Sequence, residues 1–244
     1  MNGFLAGDAL PAHLESWRGS YRGRGYGAIE PDAMPEPFLG ALAPRPAGVF
    51  LALNPGQACL RFQGRDGIFA EEIRRSGGSF AKWAATWPYL RDPWIAANGP
   101  NRHHCARLRF LRYWTCDSDL SASAMTAFEM YPWHSTRVTA SMKRGDARDM
   151  IRQYVWRPVA ELGAPVFAFG APWFGILKST PELRVVARLG VGGRDYGSRV
   201  PSRAVIVMQD RDGLTVIAEK HSGGAGPPNR DETAILRDAL KGIL

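Results

Sequence analysis

The sequence predicts an α/β fold: a single domain with a mostly parallel central sheet flanked by helices and a hairpin towards the C-terminus. Three observations predict it. Short apolar runs at 49–53, 125–131 and 165–170 each stop at a Pro- or Gly-containing turn, as buried strands do. Helical stretches lie between them, the alternation that builds parallel strands with crossover helices. Two alternating apolar runs, 204–208 and 214–219, flank Asp210-Arg211-Asp212-Gly213, and Asp-Gly between such runs is a hairpin signal.

The bulk properties fit one sizeable domain. The chain has 244 residues, 45% of them apolar, enough for a full core. Residues 1–46 are poor in core pattern and are read as an N-terminal extension and Pro-rich connector. The α/β domain is expected at 47–244. No apolar run is long enough to span a bilayer, and residues 1–7 do not read as a signal peptide. A soluble, cytoplasmic monomer is expected, with no membrane partner. The net charge is +8, and 26 of the 31 basic residues are Arg. That excess suits a polyanion, nucleic acid first, although an Arg-rich codon bias gives the same count. Cys59, Cys105 and Cys116 are too few and too unevenly spaced for a disulfide framework or an iron–sulfur cluster. His103, His104, Cys105 and Cys116 match no usual zinc spacing. No metal and no cofactor are expected.

In chain order, 8–17 reads as a short helix. Residues 18–27 interleave Arg and Tyr with Gly, which suits either a nucleic-acid-tracking segment or a solvated loop. Residues 31–46 carry five prolines and read as extended. After the first strand, Asp66 is positioned to start a helix through Arg75, with Glu71 and Glu72 early and Arg74 and Arg75 late, as the helix dipole favours. Residues 79–86 suggest another short helix and 87–100 an irregular Trp- and Pro-rich stretch. Residues 102–114 form a basic helix, its arginines read as a solvated face around Leu108 and Leu111. The clearest helix is 146–162, broken or ended near Pro158. A short strand is expected at 183–189 and a last helix at 232–244.

Three strand ends concentrate polar groups where ligands collect in α/β folds. They are Asn54-Pro55-Gly56, the run Glu129 to Ser135, and Lys220-His221-Ser222-Gly223-Gly224. Taken alone, each is an ordinary turn. Asn54 is no general base, since an amide does not titrate, but its carbonyl can hold a water. Phe62, in the loop after the first turn, suits either stacking or core packing. Glu129 and Tyr131 alternate on one strand and should point together.

Together the three stretches resemble the uracil-DNA glycosylase superfamily. Ala52-Leu53-Asn54-Pro55-Gly56 is similar to the Gly-(Met/Ile)-Asn-Pro-Gly motif of its single-strand-selective and mismatch-specific branches. The segment at His221 is similar to the superfamily's His-Pro-Ser loop. The resemblance covers about 48–244. Two departures stand out: Ala52 replaces the first Gly, and no Pro follows His221.

The resemblance implies that Asn54 places a water against the anomeric carbon while His221 donates a hydrogen bond to the pyrimidine O2. Phe62, Glu129, Tyr131 and His134 would line the flipped base. Gln57, Ser222, Gly223 and Gly224 would lie against DNA. The product would be a free base and an abasic site, from double- or single-stranded DNA. Where many members place an Asn to read the base's pairing edge, this chain has Glu129. An ionised Glu only accepts, which suits the amino group of a cytosine-type base; a structural salt bridge is the other reading. The resemblance therefore points to a monofunctional glycosylase for a damaged or modified pyrimidine. Phage-defence members of the superfamily extend that to hydroxymethylated or glucosylated cytosine. A uracil-excising repair enzyme and an inactive DNA-binding module stay open beside it. A lyase through Lys220 would instead form a Schiff base.

Overall fold

The computed structural model describes residues 14, 29–43, 45–136, 151–180, 182–190, 203–220 and 226–243. Its centre is a mixed seven-stranded sheet with helices on both faces, an α/β architecture. The strands are β1 (Phe38–Leu39), β2 (Gly48–Ala52), β3 (Met125–Glu129), β4 (Val166–Phe169), β5 (Arg184–Gly190), β6 (Ala204–Gln209) and β7 (Thr215–Lys220). Their order is β1-β3-β2-β4-β7-β6-β5. The middle four run parallel, while β1 at one edge and β6 and β5 at the other are antiparallel. Burial explains the division. Every residue of β2, β3 and β4 is buried, the pattern of a parallel strand covered on both faces. β5 has no buried residue, only exposed and half-buried ones, as an outer strand does.

β2 is the strand where the order turns. The chain goes from β2 to β3 on one side, then crosses to β4 on the other. Such a switch point opens a crevice beyond the carboxyl ends of the strands. The register sets what faces it. Ala52 is level with Glu129, and Leu51 with Ala168.

The helices are α1 (Leu60–Gln63), α2 (Ile68–Arg75), α3 (Phe80–Ala84), α4 (Trp94–Asn98), α5 (Arg102–Thr115), α6 (Arg157–Leu162), α7 (Ala171–Lys178) and α8 (Arg230–Leu240). α2 begins after Gly67 rather than at Asp66, and Glu71 pairs with Arg74 and Arg75 at 3.1 and 3.0 Å. α5 is capped by Asn101, whose side chain accepts from the backbone N–H groups of His103 and His104. α8 starts two residues earlier than expected, because Asn229 and Glu232 form a reciprocal capping box. The stretch 87–100 is more ordered than its composition suggests: it holds a 3₁₀ turn, Pro88–Leu90, and α4. Pro158 does not end its helix. A π-helical segment, Arg152–Trp156, precedes it, and the wider turn accommodates the missing N–H. The helix stops at Gly163, whose φ of 60° supplies the left-handed cap.

Two aromatic clusters lock the layers. Phe50 of β2 meets Phe110 of α5 and Phe167 and Phe169 of β4, with centroids 5.8–6.1 Å apart. Phe69 of α2 contacts Phe62, Trp83, Tyr89 and Trp94. Tilted, stacked and edge-to-face aromatic pairs of this kind stabilise by about 0.5–1.5 kcal/mol each beyond their burial.

The Pro-rich stretch is extended as expected, but it belongs to the sheet layer rather than leading up to it. β1 pairs with β3, and Ile29 and Ala33 bridge to Ser135 and Gly64. Phe38 and Leu39 are buried. The prolines suit an edge that lacks one ladder partner. Gly40 ends β1 at φ 96°, and a Cβ there would lie 2.4 Å from the Met125 carbonyl oxygen. Gly40→Ala therefore costs about 2–4 kcal/mol, from left-handed strain plus a backbone clash. Urea unfolding checks it; a loss below 1 kcal/mol would contradict the argument.

Candidate functional site

The site grows from the end of β2. Its five apolar residues need full burial, so the chain can turn polar only at Leu53-Asn54-Pro55-Gly56. Gly56 has φ 83°, a conformation that favours glycine. The segment after β3 runs alongside this turn. Met130 and Tyr131 donate backbone N–H groups to the carbonyls of Ala52 and Leu53 (2.8 and 2.9 Å), and Ser135 donates to that of Gly56 (2.9 Å). Two strand ends are thereby joined into one rim.

Asn54 is fixed on that rim by its side chain. Its Nδ2 donates to the Ser135 carbonyl at 3.0 Å and to Ser135 Oγ at 2.9 Å. A carbonyl oxygen only accepts, so the amide orientation follows from chemistry. Both amide hydrogens are engaged, and Oδ1 remains as an acceptor at the cleft.

The cleft has a volume of about 400 Å³ and is lined from β1, β2, β3, β4, α4, α5, α7 and the stretch leading to α8. That is within the range for a small organic ligand. Leu39, Leu51 and Leu53 supply apolar wall, and Trp94, Phe169 and Trp173 supply aromatic wall. The polar groups are concentrated on one side. Glu129 stands at the end of β3, 9% exposed, and its Oε2 has no hydrogen-bond partner among the described residues. Burial raises its pKa to about 7. The Arg107 charge opposes that rise, Glu36 adds to it and His134 opposes it. Arg107, half-buried on α5, is itself lowered by burial and raised by Glu129.

His104 is held well below the ordinary histidine range by burial first and then by Arg107 and His103. Its Nδ1 lies 3.4 Å from Arg107 Nη1. A guanidinium only donates, so Nδ1 accepts and the ring proton sits on Nε2. His103 is lowered by burial and by Arg107 as well. Both rings are thus neutral at pH 7.

Behind the rim lies a second polar layer. Tyr89 donates to Glu36 Oε1, and Gln63 Nε2 donates to Tyr89 Oη. Burial and the Glu36 carboxylate hold the Tyr89 phenol well above its usual range. His134 Nδ1 donates to the Gly56 carbonyl at 3.2 Å, and its Nε2 is 3.5 Å from Glu36 Oε1. Burial works against a charged His134, but Glu36, the Gly56 carbonyl and Glu129 outweigh it and raise its pKa. Glu36 and His134 therefore brace the Asn54 turn from inside.

Of the residues singled out from sequence, Asn54, Gln57 and Glu129 line the cleft. His134 is buried and supports the turn rather than lining the space. Tyr131, expected to point with Glu129, is not among the residues that line the cleft. β3 ends at Glu129, and Tyr131 is 3% exposed in the core. Phe62 packs against Phe69 and Trp94, 1% exposed, so of its two readings the core position is the observed one. Its neighbour Trp94, by contrast, is one of the aromatics that line the cleft. His221, Ser222, Gly223 and Gly224 lie outside the described residues; Gly226 and Pro227, just after them, line the cleft.

Sequence reasoning missed Glu36, Tyr89, His104 and Arg107. Glu36 was hidden among prolines and Arg107 among four arginines of one helix. The spacing of Arg107 from the apolar Leu108 and Leu111 gave no sign that it turns inward. A single acidic residue inside an otherwise apolar Pro-Phe-Leu run was the one available signal for Glu36.

Among the described residues, no group of three or more His, Cys, Asp or Glu side chains is arranged to hold a metal ion. Among them, too, no helix is long and apolar enough to cross a membrane. No protein-family model, curated protein or solved structure matches this chain.

Proposed function

We propose that the protein is a monofunctional DNA glycosylase of the uracil-DNA glycosylase type, acting as a cytoplasmic monomer. It flips a damaged or modified pyrimidine out of DNA and hydrolyses its N-glycosidic bond. The observation that carries the reading is the Asn54 side chain, clamped by Ser135 with Oδ1 left as an acceptor. Such an amide suits a water that must be held, not deprotonated, beside an oxocarbenium-like sugar. The cleft volume of about 400 Å³ suits a base drawn from a stack. The charge of +8 favours a polyanion. Glu129 supports a cytosine-type base, because it offers an acceptor to an exocyclic amino group. His221 is assigned the hydrogen bond to the pyrimidine O2; Gly226 and Pro227, five and six residues after it in sequence, line the cleft.

The test is release of free base from duplex and single-stranded DNA carrying uracil, 5-hydroxymethylcytosine or its glucosylated form. Expected is release from at least one modified cytosine, leaving abasic sites. Release from uracil DNA alone would make the protein a uracil-excising enzyme. Salt-sensitive DNA binding without abasic sites would make it a binding module. Trapping of a covalent adduct by borohydride would replace hydrolysis with a Lys220 lyase step.

A further inference from the structure

Glycosidic cleavage has a requirement that differs between pyrimidines. A diketo base such as uracil leaves as an anion spread over two carbonyls. An aminopyrimidine has only one, so its anion is a poorer leaving group. An enzyme that removes a cytosine-type base gains from protonating it as it departs. The cleft contains one group placed for that. Glu129 is level with Ala52, two residues before the Asn54 that would hold the water, and on the same sheet rim. Its Oε2 is buried and has no partner among the described residues. A buried carboxyl oxygen without a partner costs about 1–3 kcal/mol, so its retention beside the cleft calls for a ligand that completes it.

We propose that Glu129 is a catalytic residue, the carboxylic acid that donates its proton to ring N3 of a flipped aminopyrimidine while its other oxygen accepts from the exocyclic amino group. The inference rests on the glycosylase reading and deepens it. A neutral carboxylic acid presents one donor and one acceptor side by side, the complement of the N3 and amino edge of cytosine. As the C1′–N1 bond breaks, its electron pair stays with the base. The Glu129 proton moves to N3, and the base leaves as a neutral tautomer. The water at Asn54 adds its oxygen to C1′ and gives up a proton to solvent, from which Glu129 is reprotonated. One water is consumed and no other reactant is needed.

The surroundings keep this acid available near neutrality. Burial raises Glu129 to about 7, with Arg107 from α5 opposing, Glu36 from the stretch ahead of β1 adding, and His134 from the segment after β3 opposing. Tyr89 feels the same charge. His103 and His104, neutral at pH 7, add no positive charge that would strip the proton. An exposed glutamate, ordinarily near 4.5, would be almost wholly ionised and unable to donate at pH 7.

The experiment compares single-turnover base release by wild type and Glu129→Gln from duplexes with 5-hydroxymethylcytosine or uracil at one position, between pH 5.5 and 8.5. In wild type, release of 5-hydroxymethylcytosine falls about tenfold per pH unit above 7, the slope of a single required proton. Glu129→Gln keeps a donor and an acceptor but has no proton to transfer. It lowers that release about 10²–10⁴-fold and abolishes the pH limb. Uracil release changes less than tenfold. Variant release of 5-hydroxymethylcytosine within threefold of wild type would overturn the proposal, as would a wild-type rate flat through pH 7. The wild-type profile stands even where the variant folds poorly. If wild type releases no base from any duplex, the glycosylase reading itself falls; if it releases the modified base and the variant does so equally well, only the role of Glu129 falls.

Discussion

Asn54→Ala lowers the rate of base release about 10²–10³-fold while leaving the protein folded and able to bind DNA. The rate effect is that of losing one preorganised polar group at the reacting centre, by analogy with removing a single oxyanion-hole donor. Its size follows from how firmly Asn54 is held. Ser135 accepts both amide hydrogens, so no rotamer search is needed before a water can bind. The backbone of the turn does not depend on that side chain. Met130, Tyr131 and Ser135 hold it through backbone bonds to residues 52, 53 and 56, and His134 holds Gly56 from behind. The stability cost is therefore about 1 kcal/mol, one part-buried hydrogen-bonded group. Single-turnover base release, DNA affinity and urea unfolding of the same preparation check the three parts. Activity retained within tenfold would remove Asn54 from the water-holding role, and a loss of DNA binding would make it a structural residue of the rim.

The turn at Asn54 was legible because two independent patterns coincide there. A run of five apolar residues needs a buried strand, and Asn-Pro-Gly ends it. The parallel centre was legible for a related reason: 49–53, 125–131 and 165–170 are short, predominantly apolar runs, the pattern of strands covered on both faces. The strands were shorter than the runs, however. Tyr131 lies beyond the last ladder residue of β3, so alternation no longer governs where it points. Local pattern carries no information about where a ladder stops.

The polar side of the cleft was not legible, and the reason is tertiary. Arg107 belongs to a helix whose arginines look alike in sequence. Only the docking of α5 over the Phe50 face of the sheet, through Phe110, turns Arg107 towards Glu129. Glu36 sits in a stretch whose prolines signal extension but not partnership. Its place in the site depends on β1 pairing with a strand about ninety residues later. Phe62 shows the reverse error of emphasis. An aromatic after the catalytic turn suggests stacking, but the neighbouring aromatics Phe69 and Trp94 give it a better-buried position. Pairings of this kind follow from the assembled layers.

A second buried carboxyl makes the stability of the whole fold depend on pH. Glu219, near the end of β7, is 8% exposed, and its Oε2 has no partner among the described residues. Burial raises its pKa to about 8, Glu232 of α8 adds to the rise, and Arg203 opposes it. Arg203 is partly committed to Glu232, 3.4 Å away. In the unfolded chain Glu219 ionises near 4.5, so between about 4.5 and 8 the folded state binds more protons than the unfolded one. The neutral carboxyl's contribution is complete below 4.5 and is lost as pH rises through 8. At about 1.4 kcal/mol per unit, the shift caps the loss at about 5 kcal/mol. Glu219→Gln keeps the shape and removes the charge, but it buries an amide whose own hydrogen bonds are incomplete, which costs about 1–3 kcal/mol. The variant is thus less stable than wild type at pH 5 and more stable by up to about 2–4 kcal/mol at pH 8.5. Glu129 adds a loss of the same sign between about 4.5 and 7, but it is present in both proteins and cancels in the comparison. Urea unfolding at the two pH values measures the crossing. Parallel pH dependence in wild type and variant would show that Glu219 titrates as an ordinary surface carboxylate.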